Sequence, residues 1–182
     1  MTTTTSELTG TYTLDRTHTR LGFVARHAMV TKVRGSFSDF TATAVLDGED
    51  PSRSRAEVTI RVASVDTGNP QRDEHLRTND FFDAANFPEI RFVSTKAESL
   101  GDDNYRLTGD LTIKGITKSI AVDFEFTGLA VDPWGNQRVG FEGKAVINRR
   151  DFGVNFNAAL EAGGVLVSDK VTLEFDVSAI RN

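Results

Sequence analysis

From Thr11 onward the chain alternates apolar and polar residues with a period of two, the pattern of strands with one dry and one wet face. Leu21, Phe23, Ala25 and His27 share one parity, and Val33, Gly35 and Phe37 share another. Val58, Ile60 and Val62 follow, then Ile90, Phe92 and Ser94. The C-terminal half is cleaner: the runs Tyr105–Ile113, Ile120–Phe126, Val139–Ile147 and Val171–Ala179 each set apolar residues against polar or charged neighbours. Turn-forming clusters at Asp47-Gly48, Gly101–Asn104, Lys114-Gly115, Asp132–Asn136 and Gly163-Gly164 separate these runs. The pattern predicts about eight strands, and the short connections favour an antiparallel meander.

One stretch breaks the alternation. Asp66–Pro88 carries a helix signal over about residues 70–79. Asn69 supplies a cap, and Pro70 suits the first helical position, where its missing N–H has no partner in any case. Asp73 and Glu74 sit near the positive end of the helix dipole, and the Asn86–Pro88 step returns the chain to extended structure. Arg72, Asp73, Glu74, His75 and Arg77 could form an acid–base set, but Asp73 and Arg77 also stand at i, i+4 and are expected to pair along the surface.

Strands with one dry face close either as a filled two-sheet sandwich or as a barrel. Gly35, Gly109 and Gly143 fall at dry positions, where a filled core calls for bulk, and Ala25 and Ala145 do the same. An eight-stranded barrel is wide enough to hold one small ligand. Thirteen Phe stand against two Tyr and one Trp; rings without a polar handle suit either an ordinary core or a cavity for hydrocarbon. Periodicity alone leaves lumen and filled core both open.

Composition narrows the chemistry. With 21 basic and 26 acidic residues the net charge is −5, and the two signs are interspersed, so neither a nucleic-acid surface nor an anionic-membrane surface is expected. There is no cysteine, which excludes thiol catalysis and Cys-ligated metals. The three histidines, His18, His27 and His75, have no metal-site spacing, so no metal is expected; His27 is expected to be a hydrogen-bonded histidine at the barrel rim. Asp151-Phe152-Gly153 lacks every companion of the kinase motif it spells, and GxSxG, GxGxxG and P-loop motifs are absent. No catalytic residue is assigned. The start MTTTTSELTG shows no secretory signal and no run long enough to span a membrane, so a cytoplasmic protein without an integral membrane segment is expected. Residues 1–9, Thr-rich and without period, read as a disordered tail preceding one domain over 10–182.

Several motifs then occur in a specific order: Asp15 and His18; Gly22–His27; Val33-x-Gly35-x-Phe37-x-x-Phe40; Ser64–Asn69; Arg72-Asp73-x-His75-Leu76-Arg77; Asp80–Asp83; Leu107–Lys118; and Asn148-Arg149-x-Asp151-Phe152-Gly153. Together they resemble the YceI-like family, described as polyisoprenoid-binding, lipocalin-like proteins. The resemblance covers nearly all of residues 11–180. It implies an all-β, eight-stranded antiparallel lipocalin-like barrel with one inserted helix, whose pore accepts an isoprenoid lipid of polyprenyl or quinone type. It favours a non-enzymatic carrier, needs no cofactor and suggests a homodimer. Inward parity then selects Phe23, Phe37, Phe92, Leu111, Phe141 and Phe175 as lumen residues, with Arg72 and His75 as head-group contacts and the helix as a lid or plug. Two alternatives remain: an enzyme acting on such a lipid through His75, His27 and a carboxylate, and an interaction module with a filled core.

Overall fold

The alternating runs pair into one antiparallel sheet that closes on itself. The computed structural model describes residues 5–158 and 166–182. In chain order the strands are β1 (Gly10–Leu14), β2 (Arg20–His27), β3 (Thr31–Phe37), β4 (Phe40–Leu46), β5 (Arg55–Arg61), β6 (Val65–Asp66), β7 (Glu89–Gly101), β8 (Asn104–Ile113), β9 (Ile116–Val131), β10 (Gln137–Asn148) and β11 (Lys170–Arg181), with one helix, α1 (Pro70–Arg77). Pairing runs β1-β4-β5-β7-β8-β9-β10-β11, and β1 pairs back onto β11 to close the ring. No described helix is long and apolar enough to cross a membrane.

Eleven segments make an eight-stave barrel because three staves are bent: β1–β2, β3–β4 and β5–β6, the last pairing with β4 through β5 and with β3 through β6. β1 pairs with β11 at Ala179–Arg181, and β2 pairs with the same edge of β11 lower down, at Thr172–Asp176. β3 and β4 form the second bent stave, kinked at Ser38-Asp39 between pairing with β2 and pairing with β1. Side chains bridge the first bend. The Thr19 hydroxyl donates to Ser178 O (3.0 Å) and accepts from Ser178 N (3.0 Å), standing in for a missing ladder rung. Closure leaves no long unpaired edge.

Asp15 holds the same bend, accepting from Thr17 N (3.0 Å), His18 Nδ1 (2.6 Å) and Arg138 Nη1 (2.7 Å). Arg138 also donates through Nε to Asp132 (2.8 Å), which organises the β9–β10 turn by accepting from Trp134 N and Asn136 N. The hydrogen bonds from His18 and then Arg138 hold the Asp15 carboxyl at about 2, below its ordinary 3.8. At Asp132 burial pushes upward, but hydrogen bonds from Asn136, Arg138 and Trp134 outweigh it and hold the carboxyl at about 2. Both folded values lie below the unfolded ones, so their stabilisation is present above about pH 4 and is lost as pH falls toward 2. The urea midpoint is therefore expected to drop between pH 4 and 2, and Arg138→Gln should flatten that drop. An identical profile for the variant would remove Arg138 from the account.

The barrel has two distinct ends. At the helix end lie α1, the β2–β3 and β8–β9 turns and residues 149–158 and 166–169, the expected turn at Gly163-Gly164 lying outside the described residues; at the far end lie the start of β1, the 47–54 connection and the β7–β8 and β9–β10 turns. The β8–β9 turn is tight, with Lys114 and Gly115 both left-handed (φ 52° and 77°), as a two-residue hairpin loop requires. Residues 1–4 lie outside the described residues. Thr5–Leu8 form a 3-10 turn, and Leu8 is buried beside Tyr12, whose hydroxyl donates to Leu8 O (3.1 Å). Ordered chain therefore begins before residue 10.

α1 starts where the Asn69-Pro70 pair places it, with Asn69 Oδ1 accepting from Gln71 N and Arg72 N. It ends at Arg77, where Thr78 turns its hydroxyl back onto His75 O (2.6 Å). The expected surface pair of Asp73 and Arg77 does not form. Asp73 is buried and accepts from Thr67 N (2.8 Å) and Thr67 Oγ1 (2.6 Å), while Arg77 donates to Ala63 O and Val65 O. The carboxylate and guanidinium each find backbone partners on the segment entering the helix, and these win over a solvated pair.

Candidate functional site

Inside the barrel is a cavity of about 330 Å³ that runs from Leu8 and Tyr12 at the far end to Leu76, Phe81 and Phe82 at the helix end. That volume lies within the range of small-molecule sites. The interior is thus not a filled core. Phe23, Phe37, Phe92, Leu111, Phe141 and Phe175 all line it. Near the helix end, Phe37 packs on Phe23 and Phe82 (centroids 5.7 and 6.0 Å). Near the far end, Phe141 meets Tyr105, Phe124 and Phe126, and Phe124 meets Phe175 at 6.0 Å.

The dry-face glycines work differently from simple gaps. A Cβ placed on Gly35 would collide with the ring of Phe23, one on Gly109 with Phe92, and one on Gly143 with Phe124. Phe23 and Phe124 are the cross-strand partners of Gly35 and Gly143. Each ring lies back against the wall over a bare backbone, as aromatic residues do when they cover a strand glycine. The glycines keep the lumen open by letting the rings fold away from it.

Charged groups are few along this wall, and the cations are committed. Arg106 grips Asp123 through Nε (2.8 Å) and Nη2 (3.2 Å), which raises its pKa and lowers that of Asp123. Arg149 is buried at the helix end and donates to four carbonyls: Ser168 O (2.8 Å), Val154 O (2.7 Å), Phe156 O (2.8 Å) and Val167 O (3.3 Å). Burial pushes its pKa down, and Asp169 at 3.7 Å opposes that shift. Asp47 turns its carboxylate onto Glu49 N and Asp50 N. Sequence reasoning gave Arg149 no role. Its signal was parity: Val139, Phe141, Gly143, Ala145 and Ile147 lead directly to an arginine at the next dry position.

Arg72 and His75 are not among the residues lining the cavity. Arg72 is spent on the helix entry, donating through Nε to Thr67 Oγ1 (2.7 Å) and through Nη2 to Thr67 O (2.8 Å). His75 Nε2 pairs with Asp80 (2.8 Å), and its ring meets Phe81 and Phe156 edge-on at 5.0 Å each. α1 thereby joins the arm that Arg149 holds. His27 is exposed at the rim, and among the described residues its ring makes no hydrogen bond. Among the described residues no group of three or more His, Asp or Glu could hold a metal ion.

The family model described as YceI-like domain matches residues 12–179. A UPF0312 protein of Staphylococcus aureus is 42% identical over 164 residues, covering 90% of this chain and 93% of the relative. Among solved structures, Burkholderia cenocepacia BcnA superposes with a TM-score of 0.80 at 27% identity, covering 91% of this chain and 98% of that one. A polyisoprenoid binding domain from Saccharophagus degradans, implicated in plant cell wall breakdown, gives a TM-score of 0.68 at 15% identity, covering 94% and 98%.

Proposed function

This chain belongs to the YceI-like domain family, and from that premise we propose that it is a non-enzymatic carrier or sequestering protein for a long isoprenoid lipid held in the barrel lumen. The observation that carries the reading is a hydrocarbon-lined cavity whose two lining cations are both already engaged. Each isoprene unit moved from water into such a lining contributes roughly 3 kcal/mol before ordering costs. Several units hold the chain without a polar anchor. The polyisoprenoid binding domain of Saccharophagus degradans supports the same ligand class.

With Arg106 and Arg149 committed, a quinone or prenol head fits within the lumen, whereas a phosphate head stays in solvent. A head-group role for Arg72 or His75 requires α1 to release Thr67 and Asp80 first. The alternative of a lipid-modifying enzyme needs His75, His27 and a carboxylate at one place; His75 stands on α1 and His27 at the end of β2, each outside the cavity lining. The suggested homodimer is decided by gel filtration with light scattering. The closed ring offers it no strand edge.

Native mass spectrometry of freshly purified protein tests the reading. A co-purifying neutral isoprenoid, or stoichiometric uptake of added polyprenol or ubiquinone, is the expected result. Protein that carries no lipid and takes up neither would end it.

A further inference from the structure

The β2–β3 hairpin breaks a local rule without an internal reason. Its tip residues Ala28 and Met29 are both left-handed (φ 52° and 63°), a conformation that favours Asn and Gly. Yet the tip is apolar and turned outward: Met29 is 54% exposed and Val30 75%. It is also held in place. Val30 N donates to His27 O (3.1 Å), Ala28 N to Leu166 O (2.7 Å), and Arg26 Nη1 to Val30 O (3.1 Å).

Unpaired positive charge surrounds this tip. Arg26 and Lys32 are cross-strand partners just below it, and Lys170 opens β11 on the adjacent stave, two residues before the Thr172–Val24 pair. All three are exposed, and none has an ion-pair partner among the described residues. Among the described residues, Asp169 beside them is paired with Arg150 and Arg149, and Glu174 with Arg34 and Arg20. The finger also adjoins the lumen. His27 bridges to Val167, and Ala25 and Val167 both line the cavity at its helix end.

A second apolar tip, with Val131 68% and Trp134 81% exposed, caps the β9–β10 turn at the far end. Charge separates the two. The far end carries Glu49, Asp102 and Asp103 on its neighbouring turns, with Asp50 paired to Arg53, and Arg138 beside Trp134 is consumed by Asp15 and Asp132. An anionic surface repels that end and attracts the hairpin end.

We propose that the β2–β3 hairpin is a docking finger that seats the helix end of the barrel on a bilayer carrying anionic head groups. Met29 and Val30 enter the interface, while Arg26, Lys32 and Lys170 meet lipid phosphates. The finger's purpose rests on the lumen reading, since docking would bring the cavity to the source of its ligand; its evidence does not. The net charge of −5 argues against such a surface for the chain as a whole, and the local cluster of Arg26, Lys32 and Lys170 overrides it at one end only, so binding is oriented and salt-sensitive.

Flotation of the full chain with vesicles tests this. The protein should float with phosphatidylcholine–phosphatidylglycerol vesicles at low salt, and not with phosphatidylcholine alone or at high salt. Met29→Asn with Val30→Ser, which suits the left-handed turn and keeps the fold, should weaken binding about tenfold or more. Lys32→Gln and Lys170→Gln should each cost about fivefold. Trp134 emission should not change on binding, because its turn faces away. No flotation with anionic vesicles, or a blue-shifted Trp134, would overturn the proposal and leave the tip to a protein partner or the docking to the other end. Native mass spectrometry on the same variants keeps the two readings apart: lipid still bound by a protein that never floats sinks the finger and spares the lumen.

Discussion

Replacing Arg149 by methionine is expected to lower the unfolding free energy by about 3–5 kcal/mol, because four carbonyls each lose a donor at roughly 1–3 kcal/mol, offset in part by relief of the cost of burying the charge. Methionine keeps much of the aliphatic stem, so the loss isolates the guanidinium. Four of its five N–H groups reach carbonyls at 2.7–3.3 Å, two on the arm at Val154 and Phe156 and two on the arm at Val167 and Ser168. Without it the two arms lose their common clamp and four acceptors lose a donor. Asn157, which pairs with Val167 through both ends of its side-chain amide, holds part of the geometry. Arg149→Lys separates shape from charge: ammonium on a flexible stem keeps the attraction to Asp169 but cannot copy the planar fork. More than half of the loss should persist in the lysine variant, read by guanidinium titration. Full recovery with lysine would mean that Asp169, not the carbonyls, anchors this end.

The alternation along the chain carried most of the wall. The six lumen residues picked by parity all face the cavity, because in a closed barrel one face of every stave must point inward. What parity misses is hydrogen-bond partnership. The bends at 15–19, 38–39 and 62–64 exchange neighbours within a stave, so eleven segments make eight staves. The cap at Asn69-Pro70 was legible because it is local. The fate of Asp73 was not, because Thr67, six residues earlier, outbids Arg77 for it. Arg149 lay in plain view at a dry position, but nothing local says that the carbonyls satisfying it come from residues up to nineteen positions away.

The glycines offer the sharper test of how the lumen stays open. Gly143→Val leaves a backbone that any strand residue adopts, since valine suits β-structure, and the three atoms nearest its new Cβ all belong to the ring of Phe124, from 2.5 Å outward. The ring must leave the wall, and the cavity it already lines offers it space. Gly35→Val should displace Phe23 in the same way at the other aromatic belt. Overpacking costs about 1–3 kcal/mol of stability, but the larger effect falls on the ligand. Excluding one isoprene unit removes roughly 3 kcal/mol of transfer energy, on the order of a hundredfold in affinity for the longest chain. Mass spectrometry of the loaded variants should accordingly find shorter isoprenoids, or none. Gly143→Val combined with Phe124→Ala removes the displaced ring, so loading should return even though two wall residues have changed. If Gly143→Val alone carried the same lipids as the parent chain, the rings would not be what holds the lumen open, and the width of the barrel itself would have to account for the space.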